Sequence, residues 1–245
     1  MVESRSGGGA AQSIERFVLG AARLAAWHRH VGSGGLDWGI HVRGGRIPIL
    51  QGAGGPVIGG GVPHGPQLAM LGRQFDAVTA RARTFVAALS TETLMRRPSV
   101  EQWSPAECLT HLSLTAYIFK PLLDQTIDAA RAHGLRGVGP YRMDPLGRIM
   151  RWVLEPPYRV RTKAFPTVAP MDVGSPAKVL PTFITAQEVL VDCLRAADGV
   201  ALDRATIISP FNRRLRYNLL SAFALLAAHE RRHLWQAERA VAKIS

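Results

Sequence analysis

The sequence predicts an all-α protein: a four-helix bundle with a long crossover connection, preceded by a Gly-rich, mostly disordered N-terminal segment. Three observations lead there. After Pro66 the apolar residues recur at helical spacing in four substantial stretches. Two of those stretches open on a Ser-Pro pair, a helix-start signal. No stretch reads convincingly as a strand.

Residues 1–66 hold seventeen of the 24 glycines, in strings such as SGGGAA and GAGGPVIGGG, with no lysine and six arginines. Glycine at that density raises the entropy cost of ordering, and few apolar residues are present to offset it. Only Glu15 to His30 carries helix-like patterning. An alternative reading starts translation later, for example at Met70. The domain reading is therefore 1–66 as a low-order segment and 67–245 as the bundle.

The first helix follows from Leu68, Leu71, Phe75, Val78, Ala82, Phe85 and Leu89, spaced three and four apart. STETLMRRPSVEQW then reads as a loop. The second helix starts at Ser104 as N-cap, with Pro105 in first position and Glu107 completing a capping box. Its stripe is Leu109, Leu112, Ala116, Phe119 and Leu123; Gly134 marks its end, and Pro121 predicts a kink unless the bundle absorbs it. Pro145 to Leu154 reads as a short helix, followed by a long connection with four prolines, PPYRVRTKAFPTVAPMDVGS. Ser175 caps the third long helix, with Val179 or Leu180, Phe183, Gln187, Leu190 and Leu194 as its stripe. The fourth runs from about Asn218 to about Lys243.

Formal net charge is +12, which attracts anions but does not bear on the fold. The basic residues are scattered, with no recognition-helix motif and no aromatic stacking platform, so nucleic acid is disfavoured as a partner. The charge-free stretch Ile47 to Gly72 is too rich in Gly and Pro to span a bilayer as a helix, so membrane insertion is not expected. Two cysteines, Cys108 and Cys193, make no disulfide framework, and a reducing cytoplasm is the default.

The last helix carries the row Ala222, Leu226, His229, His233, Gln236 and Ala240 at the spacing of a core seam. Burying imidazoles there without partners costs roughly a few kcal/mol, so something must satisfy them. The string HERRH formally matches the metalloprotease signature HExxH. Only twelve residues follow His233, too few for the usual downstream third ligand, and both residues between Glu230 and His233 are arginines. A zinc protease is therefore disfavoured. His111, early in the capped helix, and Gln187 add further polar residues to apolar stripes.

Taken together, EQWSPAECLTHLSLTA and AAHERRHLWQAERA resemble the DinB-like superfamily, bacterial four-helix-bundle proteins also grouped as the DinB/YfiT metalloenzymes. The resemblance covers roughly residues 67–245. It rests on Trp103-Ser104-x-x-Glu107 ahead of the first motif histidine and on His229-x3-His233-x2-Gln236. It implies that His111, His229 and His233 bind a divalent metal, zinc or nickel. Many relatives carry Asp just before the first histidine; here that residue is Thr110.

Three imidazoles on two helices would fill three tetrahedral corners and leave a fourth for water or substrate. Glu107 is a candidate acceptor for the His111 N–H, Gln187 and Gln236 could reach bound water or substrate, and Glu230 could act as a general base. Arg231 and Arg232 are candidates to hold an anionic cofactor group. Each of these six also has a plain structural reading as a solvated or internally bonded residue. Cys108 could be a soft fourth ligand or a small buried thiol; His133 suits a helix C-terminus. His28, His30, His41 and His64 lie in the Gly-rich segment and read as a chance distribution.

The resemblance implies chemistry like that of relatives that are metal-dependent transferases or isomerases using low-molecular-weight thiols; a hydrolase is compatible with the same site. The competing class is a non-enzymatic stress-related bundle protein with a structural or sensing metal. A small-molecule substrate is the expected partner, and a homodimer an admissible assembly.

Overall fold

The apolar row that opens at Leu68 becomes helix α1, Pro66–Ala87, which buries Leu68, Leu71, Phe75, Val78 and Ala82. Pro66 takes the first position, where its missing N–H is no loss. The structure, a computed structural model, describes residues 65–157 and 164–244, which fall within one compact unit, Gly61–Ser245. The expected low order of the N-terminal segment, the candidate helix from Glu15 to His30 and the four histidines up to His64 lie outside the described residues. Residues ahead of Met70 take part in the fold. Leu68 is buried, and the Gln67 amide accepts from the Tyr141 N–H at 2.6 Å and donates to its carbonyl at 2.9 Å.

The expected loop after α1 holds a short helix, α2, Thr91–Met95. The local cause is a cap that apolar spacing does not reveal: Ser90 Oγ accepts from the Thr93 N–H at 3.1 Å, and Leu94 is buried. Helix α3, Pro105–Ala132, starts as predicted: Ser104 Oγ accepts from the Glu107 N–H at 3.1 Å while Glu107 Oε2 accepts from the Ser104 N–H at 2.8 Å. Gly134, at φ +66°, sits just past its end. Pro121 lies inside α3 without ending it. Its ring is on the exposed side, where a carbonyl deprived of its amide partner can turn to water.

Helix α4, Pro145–Leu154, is capped by Asp144, whose Oδ1 accepts from the Gly147 N–H at 2.8 Å. The rest of the connection contains a 3-10 turn, Pro166–Val168. Helix α5, Pro176–Ala196, has Ser175 at the N-cap position, but the serine side chain makes no capping bond; the Lys178 N–H bonds the Ser175 carbonyl instead, at 2.9 Å. Between α5 and the last helix stands a hairpin that the sequence does not announce. Strand β1, Thr206–Ile208, pairs antiparallel with β2, Arg216–Asn218. Three residues a strand are too few to show alternation in a sequence. Helix α6, Leu219–Ile244, follows directly.

The four long helices form a ring in the order α1–α5–α3–α6, each packing on its two neighbours. One large core fills most of the bundle, and a second cluster gathers Val78, Ala82, Leu94, Leu109, Leu112, Phe183 and Leu234. Two elements of this cluster, α3 near Leu112 and α6 near Leu234, also carry the histidines. Among the described residues no helix is long and apolar enough to cross a membrane.

Candidate metal centre

The start of α3 is fixed from two sides. Besides its capping role, the Glu107 carboxylate receives the Arg97 guanidinium in a forked ion pair. Burial alone would raise its pKa; the Arg97 bonds and the Ser104 N–H outweigh this and hold it below the usual carboxylate range. One turn further on, His111 projects toward α6, where His229 and His233 share one face at i, i+4. The three residues offer ligand atoms that all lie within 4.8 Å of one another. His111 Nε2 is 3.1 Å from His229 Nε2, and the ring centroids lie 4.4 to 5.0 Å apart.

His111 Nδ1 is 2.7 Å from the Val168 carbonyl oxygen. A carbonyl only accepts, so Nδ1 carries the hydrogen and the Nε2 lone pair is left for the space shared with His229. Val168 comes from the 3-10 turn of the crossover, which therefore orients the ring. Nδ1 of both His229 and His233 is buried without a hydrogen-bond partner. Burial lowers the pKa of His111, with the Val168 carbonyl opposing. It pushes His229 and His233 well below the ordinary histidine value, helped by the neighbouring imidazoles and by Arg232. The three rings are thus neutral, with lone pairs to give.

This donor set fits a divalent metal. Three converging neutral imidazoles suit zinc, nickel or copper better than magnesium or calcium. Among the described residues no carboxylate or thiol joins the group. The Trp103 ring packs on one side of it, 4.9 Å from His111 and 5.8 Å from His233 between centroids. His229 and His233 remain part-exposed.

The other residues that the sequence singles out fall elsewhere. Glu107 does not serve His111; it is spent on Arg97 and the cap, and Val168 takes the imidazole N–H. Glu230 is buried and not in the histidine group; Gln187 Nε2 donates to its Oε1 at 2.7 Å. Burial raises its pKa to about 8, against the Gln187 bond and the Arg231 charge. Gln236 lies near enough to His233 to oppose its pKa drop slightly. Arg231 is bound to Glu155, at 2.5 and 3.1 Å, and to Gln74 at 2.8 Å. Arg232 is buried and donates to the Val153 carbonyl at 2.9 Å. Cys108 is fully buried, and burial drives its thiol pKa strongly upward. His133 is the C-cap of α3. Two contributors are hard to find from the chain alone. Trp103 is visible there only as part of a motif, and nothing signals a backbone carbonyl 57 residues away.

The fold and site together are those of an all-α bundle in which three histidines, from two helices, form a group that could hold a divalent metal. A family model for the DinB superfamily matches residues 74–237, and the chain belongs to that superfamily. No curated protein matches it, and no solved structure does.

Proposed function

We propose that this chain is a metalloenzyme whose divalent ion, zinc or nickel, is held by His111, His229 and His233. The convergence of three neutral imidazoles with no fourth protein donor among the described residues carries this reading. Such an ion, when bound, supplies Lewis acidity and lowers the pKa of a water or thiol at its free corner. The reaction class we assign is transfer or isomerisation dependent on a low-molecular-weight thiol, with hydrolysis as the variant that uses water.

The chain's own residues have separable parts in this. Val168 fixes the His111 tautomer, so its Nε2 lone pair faces the site. Trp103 excludes water from the His111 and His233 side and offers an apolar face to a bound small molecule. Arg232 adds fixed positive charge beside His229 and His233, favouring an anionic ligand. Glu230 is engaged with Gln187 inside the bundle, and we give it no general-base role in this reading. Two buried free thiols suit a reducing compartment, and we assign the cytoplasm.

The same Trp103 cover favours a second reading, in which the metal only ties α3 to α6. Cobalt substitution separates the two. An accessible corner makes the visible spectrum change when a small thiol or azide is added. A spectrum indifferent to both ligands, at full cobalt occupancy, would overturn the enzymatic reading in favour of the structural one.

A further inference from the structure

We propose that the β1–β2 hairpin is a positioning arm for His111: Phe211 at its tip stacks on Phe165 of the crossover and thereby seats the Val168 carbonyl against the imidazole. Its effect on metal binding rests on the reading of the three histidines as a metal site; its effect on the His111 ring does not. The hairpin itself supplies none of the three histidines. The Phe211 and Phe165 rings lie face to face, 4.7 Å between centroids and 3° from parallel. Phe211 also meets Phe119 of α3 edge-on, at 6.0 Å and 66°, so the tip touches both the helix and the crossover. Phe165 is the N-cap of the 3-10 turn, and its carbonyl accepts from the Val168 N–H at 3.0 Å. The Val168 carbonyl in turn accepts from His111 Nδ1 at 2.7 Å. Pro166 stands between them with a fixed φ, so the turn passes a displacement of Phe165 on to Val168 rather than absorbing it.

The Val168 side chain is buried, but apolar burial has no direction. Fixing where the carbonyl points takes a geometric constraint, which the stacked pair supplies. The arm behind that pair is stiff. Its ladder sets Ile207 opposite Tyr217, and both are buried in the large core. The Leu219 N–H bonds the Ala205 carbonyl at 2.9 Å and the Leu220 N–H bonds the Leu202 carbonyl at 3.1 Å, which ties the base to the first turn of α6. At the tip, the Ser209 N–H bonds the Leu215 carbonyl and the Leu215 N–H bonds the Asn212 carbonyl, each at 2.9 Å. The Phe211 N–H bonds Ser209 Oγ at 3.3 Å. Helix α6 thus carries two of the histidines on its own turns and, through the hairpin at its start, orients the third.

The test uses the full chain. In metal-free protein the His111 Nδ1 hydrogen should give one proton–nitrogen signal protected from solvent exchange, assigned by its absence in His111→Gln. Phe211→Ala should speed that exchange and weaken zinc, measured by competition with a chromophoric chelator, each by about tenfold, as expected for loss of a group that orients a ligand. Phe211→Tyr keeps the flat face and should restore both. Phe165→Ala should match Phe211→Ala, and the double variant should be no worse than either, because the two rings act as one unit. Ile127→Val, in the large core far along α3 from His111, controls for lost stability. Its thermal midpoint should fall while exchange and zinc affinity stay at the wild-type values. Should Phe211→Ala not fold, Phe211→Leu keeps apolar bulk without the flat face and is read the same way. Failure of both to fold would overturn the proposal, because the tip would then be holding the bundle rather than the carbonyl. Unchanged exchange, unchanged affinity in a chain that binds zinc, additive losses in the double variant, or an equal loss in Ile127→Val would each overturn it too. A wild-type chain that binds no zinc, with the exchange results as expected, would sink the metal reading and leave the arm's hold on His111 standing.

Discussion

His111 shows how one side chain acquires a role from its surroundings. Its ring is held by a carbonyl from the crossover and faces two rings from another helix, so its loss removes a donor that no neighbour can replace. His111→Ala, His229→Ala and His233→Ala should each lower bound metal by at least tenfold in affinity, whereas His133→Ala should leave it unchanged; elemental analysis after dialysis reads the difference. Glu230 makes a separate case. With a folded pKa of about 8 against an unfolded value of ~4.3, the folded chain binds more protons than the unfolded one between those limits. Stability therefore falls as pH rises through that window, by up to about 1.4 kcal/mol per unit, and the loss is complete above the folded pKa. Glu230→Gln removes the titration and keeps an acceptor for Gln187. In metal-free protein its urea midpoint should gain on the wild type steadily from about pH 5 to about pH 8; a gap independent of pH would show that Glu230 does not titrate this way.

Helix α4 is the element whose placement depends most on a single small residue. Gly147 lies against Ser221, and a Cβ at that position would overlap the serine side chain. The serine cannot simply move, because its hydroxyl donates to Asp144 and its N–H donates to Asn218. Alanine is ordinarily the better helix former, by about 1 kcal/mol. Here Gly147→Ala should instead destabilise by about 1–3 kcal/mol through overpacking, read as a lower urea midpoint. The double variant Gly147→Ala with Ser221→Gly should recover part of that loss, which a simple propensity effect would not.

For the bundle as a whole, the described core starts at Leu68. A chain beginning at Gly65 should retain cooperative unfolding and full metal stoichiometry, and one beginning at Met70 should be less stable because it lacks Leu68 and Gln67. Calorimetric midpoints of both against the full chain decide this. A Gly65 chain that does not fold would mean that residues 1–64 contribute packing.

Much of this protein is legible in its sequence because helices are local. The 3-4 spacing of α1, the Ser-Pro-x-Glu box of α3 and the i, i+4 histidines of α6 are set by residues within a few turns of one another, so their periods survive in the linear string. The pairing of His111 with His229 and His233 comes from the motif resemblance, and the geometry of α3 against α6 brings those rings together. Short elements are opaque: α2 and the β1–β2 hairpin are five residues and two threes, below the length at which periodicity speaks. Side-chain direction is opaque too. Glu107 and Glu230 both stand near histidines in the chain, yet one is captured by Arg97 and the other by Gln187, partners 10 and 43 residues away. The Val168 carbonyl, the Trp103 wall and the stacking of Phe211 on Phe165 depend on contacts between distant segments. Local spacing constrains which face a residue occupies; only packing determines what waits on the other side of that face.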